Sequence, residues 1–374
     1  MYRLPTRCVH AGTIKDLKEK GINSPVYTST AFGFVDQDGP IYPRYLNTPN
    51  VKAVAAKIAA LEESETALVF SSGMAAISAL LFTFLKQGDH VVFQKGLYGG
   101  TMHFVDQQLH RFGINYSIAS SQSVTDMESA IRNETRLVYI ETPSNPLLNI
   151  TDIRAVAELA SAKGIVSVVD NTFASPINQQ PIRLGMDVVL HSATKYLGGH
   201  SDILAGAVAT SRQLSEQILK TALNFGGSLN AITLYLLERS LKTLHLRVDR
   251  INRNAMQIAQ FLDTHPKIRK VNYPGLSTHP GHIVATGQMK GFGGMLSFET
   301  EGQDALSFQK KLRLIKPAVS LGGLESICCS PALTSHRHLG AAGRRDEGIP
   351  EELIRLSVGI EDAEDLMADL DQAL

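Results

Sequence analysis

DVVLHSATKYLGGHSDILAG, residues 187–206, is the stretch around which the rest of the chain is organised. Val188, Val189 and Leu190 form a short apolar run that predicts a buried strand. His191, Ser192, Ala193, Thr194 and Lys195 follow, and then a glycine-rich turn at Gly198-Gly199-His200. A lysine at the end of a buried strand, bracketed by two hydroxyls and by glycines, suits an aldehyde cofactor that bears a phosphate. The amine can form a Schiff base, while Ser192 and Thr194 can donate hydrogen bonds to phosphate oxygens. Read alone, the same residues also describe a solvated lysine leaving a strand, with serine and threonine as turn formers.

Outward from this stretch, strands and helices alternate. Apolar runs predict strands at 67–70, 90–93, 136–141 and 165–170, with another at INYSIA (114–119). Between them lie helical patterns: one entered by Thr48-Pro49, one at MAAISALLFTFL, one at TMHFVDQQLHRF and one at TDIRAVAELASAK. A further helix near residue 126 opens with Thr125 and Glu128 in capping-box spacing. Strands that are apolar along both faces and alternate with helices imply an α/β fold with a mainly parallel sheet. Ligands of such sheets sit at the carboxyl ends of the strands. SSGM, GLYGGT, ETPSNP, DNT and HSATK each follow or end a predicted strand, so all five are expected on one edge of the sheet.

Bulk properties narrow the partners. The 374 residues exceed one comfortable core, so two domains are expected. Lys+Arg and Asp+Glu are each 36, which gives no electrostatic reason to expect nucleic acid or an anionic membrane. No apolar run approaches the length of a membrane span. Cys8, Cys328 and Cys329 form no disulfide framework and no zinc spacing. These features predict a reduced, soluble, cytoplasmic protein.

Residues 1–50 are rich in Pro, Gly, Thr and Tyr and read as extended segments joined by turns, an arm that needs something to dock on. Beyond it, residues 51–240 form the α/β domain. A long helical pattern over 229–262 marks the passage to a smaller α+β domain, 241–374, with strands at GMLSFE and LIRLSVG.

Several residues carry candidate chemistry. Asp170 closes the uncharged run Ile165–Val169, and a carboxylate there needs a partner. A protonated pyridine nitrogen would serve, as would a simple helix cap. Ser71-Ser72-Gly73-Met74 opens a helix whose amides suit a phosphate. Tyr98, between Gly96 and Gly99-Gly100, can stack on a flat ring and move protons, or can be a turn tyrosine. Arg355, amid apolar neighbours, needs an anion: a substrate carboxylate or an internal salt bridge. Tyr42 and Arg44 on the arm can reach a phosphate or stay on the surface. His336 and His338 have no nearby third ligand, so no metal is expected. GFGG (291–294) and LGG (321–323) lack a dinucleotide fingerprint and read as turns.

Together these segments resemble the Cys/Met-metabolism family of pyridoxal-phosphate enzymes, from TRCVHAG through SSGMAAI, LYGGT, ETPSNPLL, DNTFASP, HSATKYLGGHSD, YPG, GFGGMLSF and SLGGLES to RLSVGIED. The resemblance implies fold type I with a seven-stranded-type sheet, and pyridoxal 5'-phosphate as cofactor. It implies that Lys195 forms the Schiff base, Asp170 faces the pyridine nitrogen and Tyr98 stacks on the ring. Gly73, Met74, Ser192 and Thr194 would hold the phosphate, joined by Tyr42 and Arg44 from an adjacent subunit. Asn145, Ser320 and Arg355, with Tyr98, would position an amino-acid substrate. A homotetramer of paired subunits sharing active sites is also implied, which gives the arm its docking partner.

Two departures bear on the reaction. Methionine γ-lyases of the family commonly carry cysteine two places after the stacking tyrosine, where this chain has Gly100. Cystathionine γ-synthases and γ-lyases often carry glutamate just before the SLGG serine, where this chain has Val319. The arm also reads Asn47-Thr48-Pro49-Asn50 where relatives often have Asn-Pro-Thr. The expected activity is a carbon–sulfur lyase cleaving cystathionine by β- or γ-elimination. The alternatives are γ-replacement on an O-acylhomoserine, methionine γ-lysis, or cofactor binding without catalysis.

Overall fold

The computed structural model of the chain describes residues 2–36 and 38–374. Helices α1 (Leu4–His10) and α2 (Pro49–Glu62) precede strand β1 (Thr66–Phe70). Then follow α3 (Gly73–Phe84), β2 (His90–Phe93), α4 (Gly99–Phe104), β3 (Asn115–Ile118), α5 (Val124–Ala130) and β4 (Thr135–Glu141). The first sheet is completed through α6 (Ile153–Lys163), β5 (Val166–Asp170), α7 (Ser175–Asn178), β6 (Val188–His191) and β7 (Gly206–Thr210).

Its seven strands lie in the order β1-β7-β6-β5-β4-β2-β3. Neighbours from β6 to β3 pair in parallel, whereas β7 runs antiparallel between β6 and β1. Strand β1 therefore shares the direction of β2 to β6, and six carboxyl ends lie on one edge. Leu137, Val138, Val168, Val169, Val188 and Val189 are fully buried, as strands covered by helices on both faces require.

After β7 come α8 (Arg212–Phe225), α9 (Ala231–Lys242) and α10 (Leu244–Asp263). The second sheet uses β8 (Ile268–Asn272), β9 (Met295–Thr300), β10 (Lys316–Pro317), β11 (Ile327–Cys329) and β12 (Leu353–Ser357), in the order β10-β11-β12-β9-β8. Its core, which includes Phe298, Phe308, Ile354, Leu356 and Leu366, is separate from that of the first sheet.

Four local expectations are revised. The helical pattern over 229–262 is two helices, broken at Thr243, where the Arg247 guanidinium takes the Ser240 carbonyl at 3.0 Å. The helix near residue 126 is capped by Ser123, whose hydroxyl accepts the Asp126 N–H, and not by the Thr125–Glu128 pair. The stretch 101–112 changes from α-helix to a wider turn at Val105 and a tighter one at His110. Finally, the arm contains a helix, α1, and part of the arm docks on its own chain. Arg7 pairs with Glu63 at 2.6 Å, and the Lys57 amine donates to the Cys8 and Val9 carbonyls at 3.1 and 3.2 Å. Phe34, Val35 and Tyr42 remain exposed.

Candidate active site

The loops after β1, β2, β4, β5 and β6 enclose a cavity of about 620 Å³. All five predicted segments contribute to it: Gly73 and Met74, Tyr98, Asn145, Asp170, and Ser192, Thr194 and Lys195. The second half of the chain adds Ser320 and Arg355.

Asp170 is nearly fully buried at the end of β5, where desolvation pushes its carboxyl above the usual range. One of its oxygens accepts the Thr172 N–H at 3.0 Å. The Lys195 amine is pushed down to about 8, first by burial and then by the charge of Arg355, and it donates to Ser320 Oγ at 2.8 Å. The turn behind it is fixed from beneath. Gly199 N–H donates to the Lys195 carbonyl at 2.7 Å, and Arg247 donates to the Tyr196 carbonyl at 2.8 Å.

Helix α3 begins at the same cavity. Ser72 Oγ accepts the Ala75 N–H at 3.0 Å, and the amides of Gly73 and Met74 open the first turn, where a helix supplies no internal acceptor. Ser192 lies against them: a Cβ built on Gly73 would stand 3.1 Å from that of Ser192. The hydroxyl of Thr194 is already engaged, donating to the Ala205 carbonyl and accepting its N–H at 3.0 Å.

Arg355, on β12, spans the far wall. Its Nη atoms donate to Asn145 Oδ1 at 3.0 Å and to the Ser320 carbonyl at 2.9 Å, both neutral acceptors, and its buried Nε has no hydrogen-bond partner. Of the two accounts of this arginine, the internal salt bridge is not formed. Tyr98 is half exposed at the mouth, and its N–H donates to Glu141 Oε2 at 2.8 Å.

Tyr42 and Arg44 do not line this cavity. Arg44 donates to the Leu223 carbonyl at 2.9 Å, and Tyr42 meets Tyr45 edge-on. Asn47 closes that turn by accepting the Tyr42 N–H at 2.9 Å. His336 and His338 line a second cavity of about 480 Å³ that shares Asn145 with the first.

The residues fit pyridoxal phosphate on three counts. Lys195 is an amine of lowered basicity, Asp170 is a buried carboxyl that a cation would suit, and the opening of α3 beside Ser192 offers free amides that suit a phosphate. Sequence reading left Glu141 and Thr172 without roles. Thr172 Oγ1 accepts the Ser192 N–H at 2.8 Å and so links the Asp170 loop to the Lys195 loop. Glu141 ends an apolar strand just as Asp170 does, and that signal was present in RLVYIE.

A family model described as Cys/Met metabolism PLP-dependent enzyme matches residues 5–374. A cystathionine gamma-lyase of Bacillus subtilis is 43% identical over 374 residues, covering 99% of this chain and 98% of that protein. A cystathionine gamma-synthase of Mycobacterium tuberculosis is 44% identical over 379 residues, covering 99% of this chain and 96% of that protein. The crystal structure of a cystathionine gamma-lyase from Lactobacillus plantarum, complexed with L-serine, superposes with a TM-score of 0.96 at 40% identity. That match covers 100% of this chain and 98% of the other.

Proposed function

Given that the chain belongs to the Cys/Met metabolism PLP-dependent enzymes, we propose that it is a carbon–sulfur lyase that cleaves cystathionine or a related sulfur amino acid. Its products would be a thiol, ammonia and a 2-keto acid. The observation that carries this reading is one cavity holding the Lys195 amine, the Asp170 carboxyl and an Arg355 guanidinium whose side-chain acceptors are all neutral.

When bound, the cofactor supplies an electron sink conjugated to the substrate α-carbon. Lys195 is the amine that would hold its aldehyde, Asp170 would hold the ring nitrogen, and Gly73, Met74 and Ser192 would hold the phosphate. Arg355 binds the substrate α-carboxylate in bidentate fashion, with Asn145 Oδ1 fixing the plane of the guanidinium. Lys195 Nζ and the Tyr98 phenol, which line the same cavity, are the candidates to take the α-proton, and an amine lowered to about 8 favours Lys195. For a leaving group at Cγ the same amine would have to hand on that first proton, becoming neutral again, before taking a second one from Cβ. The ring of Tyr98, half exposed at the mouth, would limit water there once a cofactor lies beneath it.

The distal arm of the substrate meets an apolar patch of Leu204, Val319 and Leu321. A thioether chain suits it. Methionine, apolar to its end, is the second reading, favoured by Leu204 and Val319 being two-thirds exposed at the mouth with no charge of their own.

We further propose a homotetramer of paired subunits, in which Tyr42 and Arg44 complete the phosphate seat of a neighbouring copy. Their place outside their own cavity, and the exposed Phe34 and Val35 on the same arm, support this. The buried, free cysteines Cys8, Cys328 and Cys329 support a reducing cytoplasmic setting.

The deciding experiment identifies the keto acid released from cystathionine, cysteine and methionine. Pyruvate marks cleavage at Cβ and 2-oxobutyrate cleavage at Cγ. Cystathionine formed from O-acylhomoserine plus cysteine, with no keto acid from any thioether, would replace elimination by γ-replacement.

A further inference from the structure

Strand β4 ends on a carboxyl group, as β5 does. Glu141 and Asp170 are register partners across the two strands, both are buried, and both line the cavity. Glu141 Oε2 accepts the Tyr98 N–H at 2.8 Å, and Glu141 itself opens the loop after β4 that carries Asn145 into the same cavity. The Glu141 carbonyl is itself held by Gln94 Nε2 at 2.5 Å, and Gln94 Oε1 accepts the Thr151 hydroxyl at 3.0 Å. One side chain thus ties the loop that carries Tyr98 to the loop that carries Asn145, whose Oδ1 fixes Arg355.

We propose that Glu141 is a positioning residue of this active site: an uncharged carboxyl beside Asp170 that holds the peptide of Tyr98 and leaves Asp170 as the anion facing the cofactor ring. The inference rests on the cofactor lying between Lys195 and Asp170, and not on which carbon–sulfur bond is cleaved.

Two carboxylates on adjacent strands of a water-poor wall do not both ionise at neutral pH. Burial pushes both upward, and the Asp170 charge pushes Glu141 further. The groups facing the pair are Tyr139 from β4, Thr172 after β5, His191 at the end of β6, Lys195 beyond it and Arg355 from β12. The Tyr139 hydroxyl is fully buried and lacks a hydrogen bond of good geometry, so it gives neither carboxylate firm support. Asp170 is the better anion, because the Thr172 N–H donates to it at 3.0 Å and the nearby Thr172 side chain and His191 ring favour its charged form. A ring N–H⁺ held by Asp170 would add a full opposite charge and leave the shared proton to Glu141. The carbonyl oxygen of a neutral acid still accepts the Tyr98 N–H.

Two substitutions in the cofactor-loaded enzyme test this. Glu141→Gln keeps the acceptor and the absence of charge, whereas Glu141→Ala removes the acceptor. Alanine is expected to lower kcat about tenfold and to raise KM, as loss of a buried acceptor does, with glutamine restoring most of both. The pH midpoint of the cofactor's visible absorbance, read without substrate, should be the same in Glu141→Gln as in the parent enzyme. Removing a real negative charge from this wall would move that midpoint by about one unit or more. Such a shift, or a glutamine variant as impaired as alanine, overturns the proposal, and the glutamine variant alone decides it if the alanine variant does not fold. A parent enzyme that shows no cofactor absorbance would instead overturn the assignment of the cavity itself.

Discussion

Lys195 Nζ stands 2.8 Å from Ser320 Oγ, and the serine holds that position with a φ of +94°. A residue with a Cβ in that conformation costs on the order of 1–3 kcal/mol, a strain met at sites that need a side chain aimed from an awkward turn. Ser320→Gly is therefore expected to raise the melting temperature while lowering turnover, because the strain and the hydroxyl vanish together. Ser320→Ala keeps the strain and loses the hydrogen bond, so turnover should fall by about tenfold with no gain in stability. Thermal melts and steady-state rates on the two variants separate the effects. Full turnover in Ser320→Gly would show that the amine needs no tether.

The Lys195 amine, lowered to about 8 against 10.5 in an unfolded chain, makes cofactor loading pH-dependent. Below pH 8 the native amine is protonated and a poor nucleophile; above it the free amine is present. The rate of cofactor uptake by the apoenzyme should climb between pH 7 and 9 with a midpoint near 8. Between pH 8 and 10.5 the unfolded state binds the extra proton, so this group raises apoenzyme stability as pH rises through that window. Burial is the larger cause of the shift and the Arg355 charge the second. Arg355→Leu should accordingly move the uptake midpoint upward without restoring it to 10.5. A midpoint unchanged by that substitution would remove Arg355 from the cause.

The edge of the first sheet was legible because each of its loops announces itself by a polar residue closing an apolar run, as Asp170 closes VSVV and His191 closes VVL. What could not be read was who meets whom. Asn145 and Arg355 are 210 positions apart and touch only because the fold brings β12 against the loop after β4. Strand β7, GAVAT, was missed because small residues without alternation carry little periodic signal. Its antiparallel place between β1 and β6 is a matter of strand order, which no local pattern encodes. The break at Thr243 was equally silent, since no proline or glycine marks it and the group that takes up the Ser240 carbonyl there, the Arg247 guanidinium, belongs to a side chain one turn further on.

Gly100 gives the Tyr98 ring its seat. A Cβ built there would lie 2.4 Å from Cε1 and 2.8 Å from Cζ of Tyr98. The ring is half exposed, so Gly100→Ala should tip it toward solvent without unfolding the chain. The expected outcome is a melting temperature within a few degrees of the parent, with kcat reduced several-fold, since a displaced positioning group costs rate before stability. Comparing melts with turnover tests this. A variant that loses both in proportion would mean that Gly100 packs the loop and does not serve Tyr98.

Gly199 and Arg247 offer the strongest test of how the Lys195 turn is held. Gly199 has a φ of +66°, and a Cβ on it would fall 1.9 Å from Arg247 Nη1, inside the guanidinium that binds the Tyr196 and Ser240 carbonyls. Burial lowers this arginine to about 10, so it is charged at neutral pH with backbone carbonyls and the Thr243 hydroxyl as its partners. Gly199→Ala should cost about 3 kcal/mol, from left-handed strain plus overpacking. Arg247→Met should cost a similar amount by leaving buried carbonyls unpaired. The double variant should be less destabilised than the sum by about 1 kcal/mol or more, because methionine can bend out of the way of the new methyl. Denaturant unfolding of the four proteins completes the cycle, and strict additivity would show that the two positions do not share the space assigned to them.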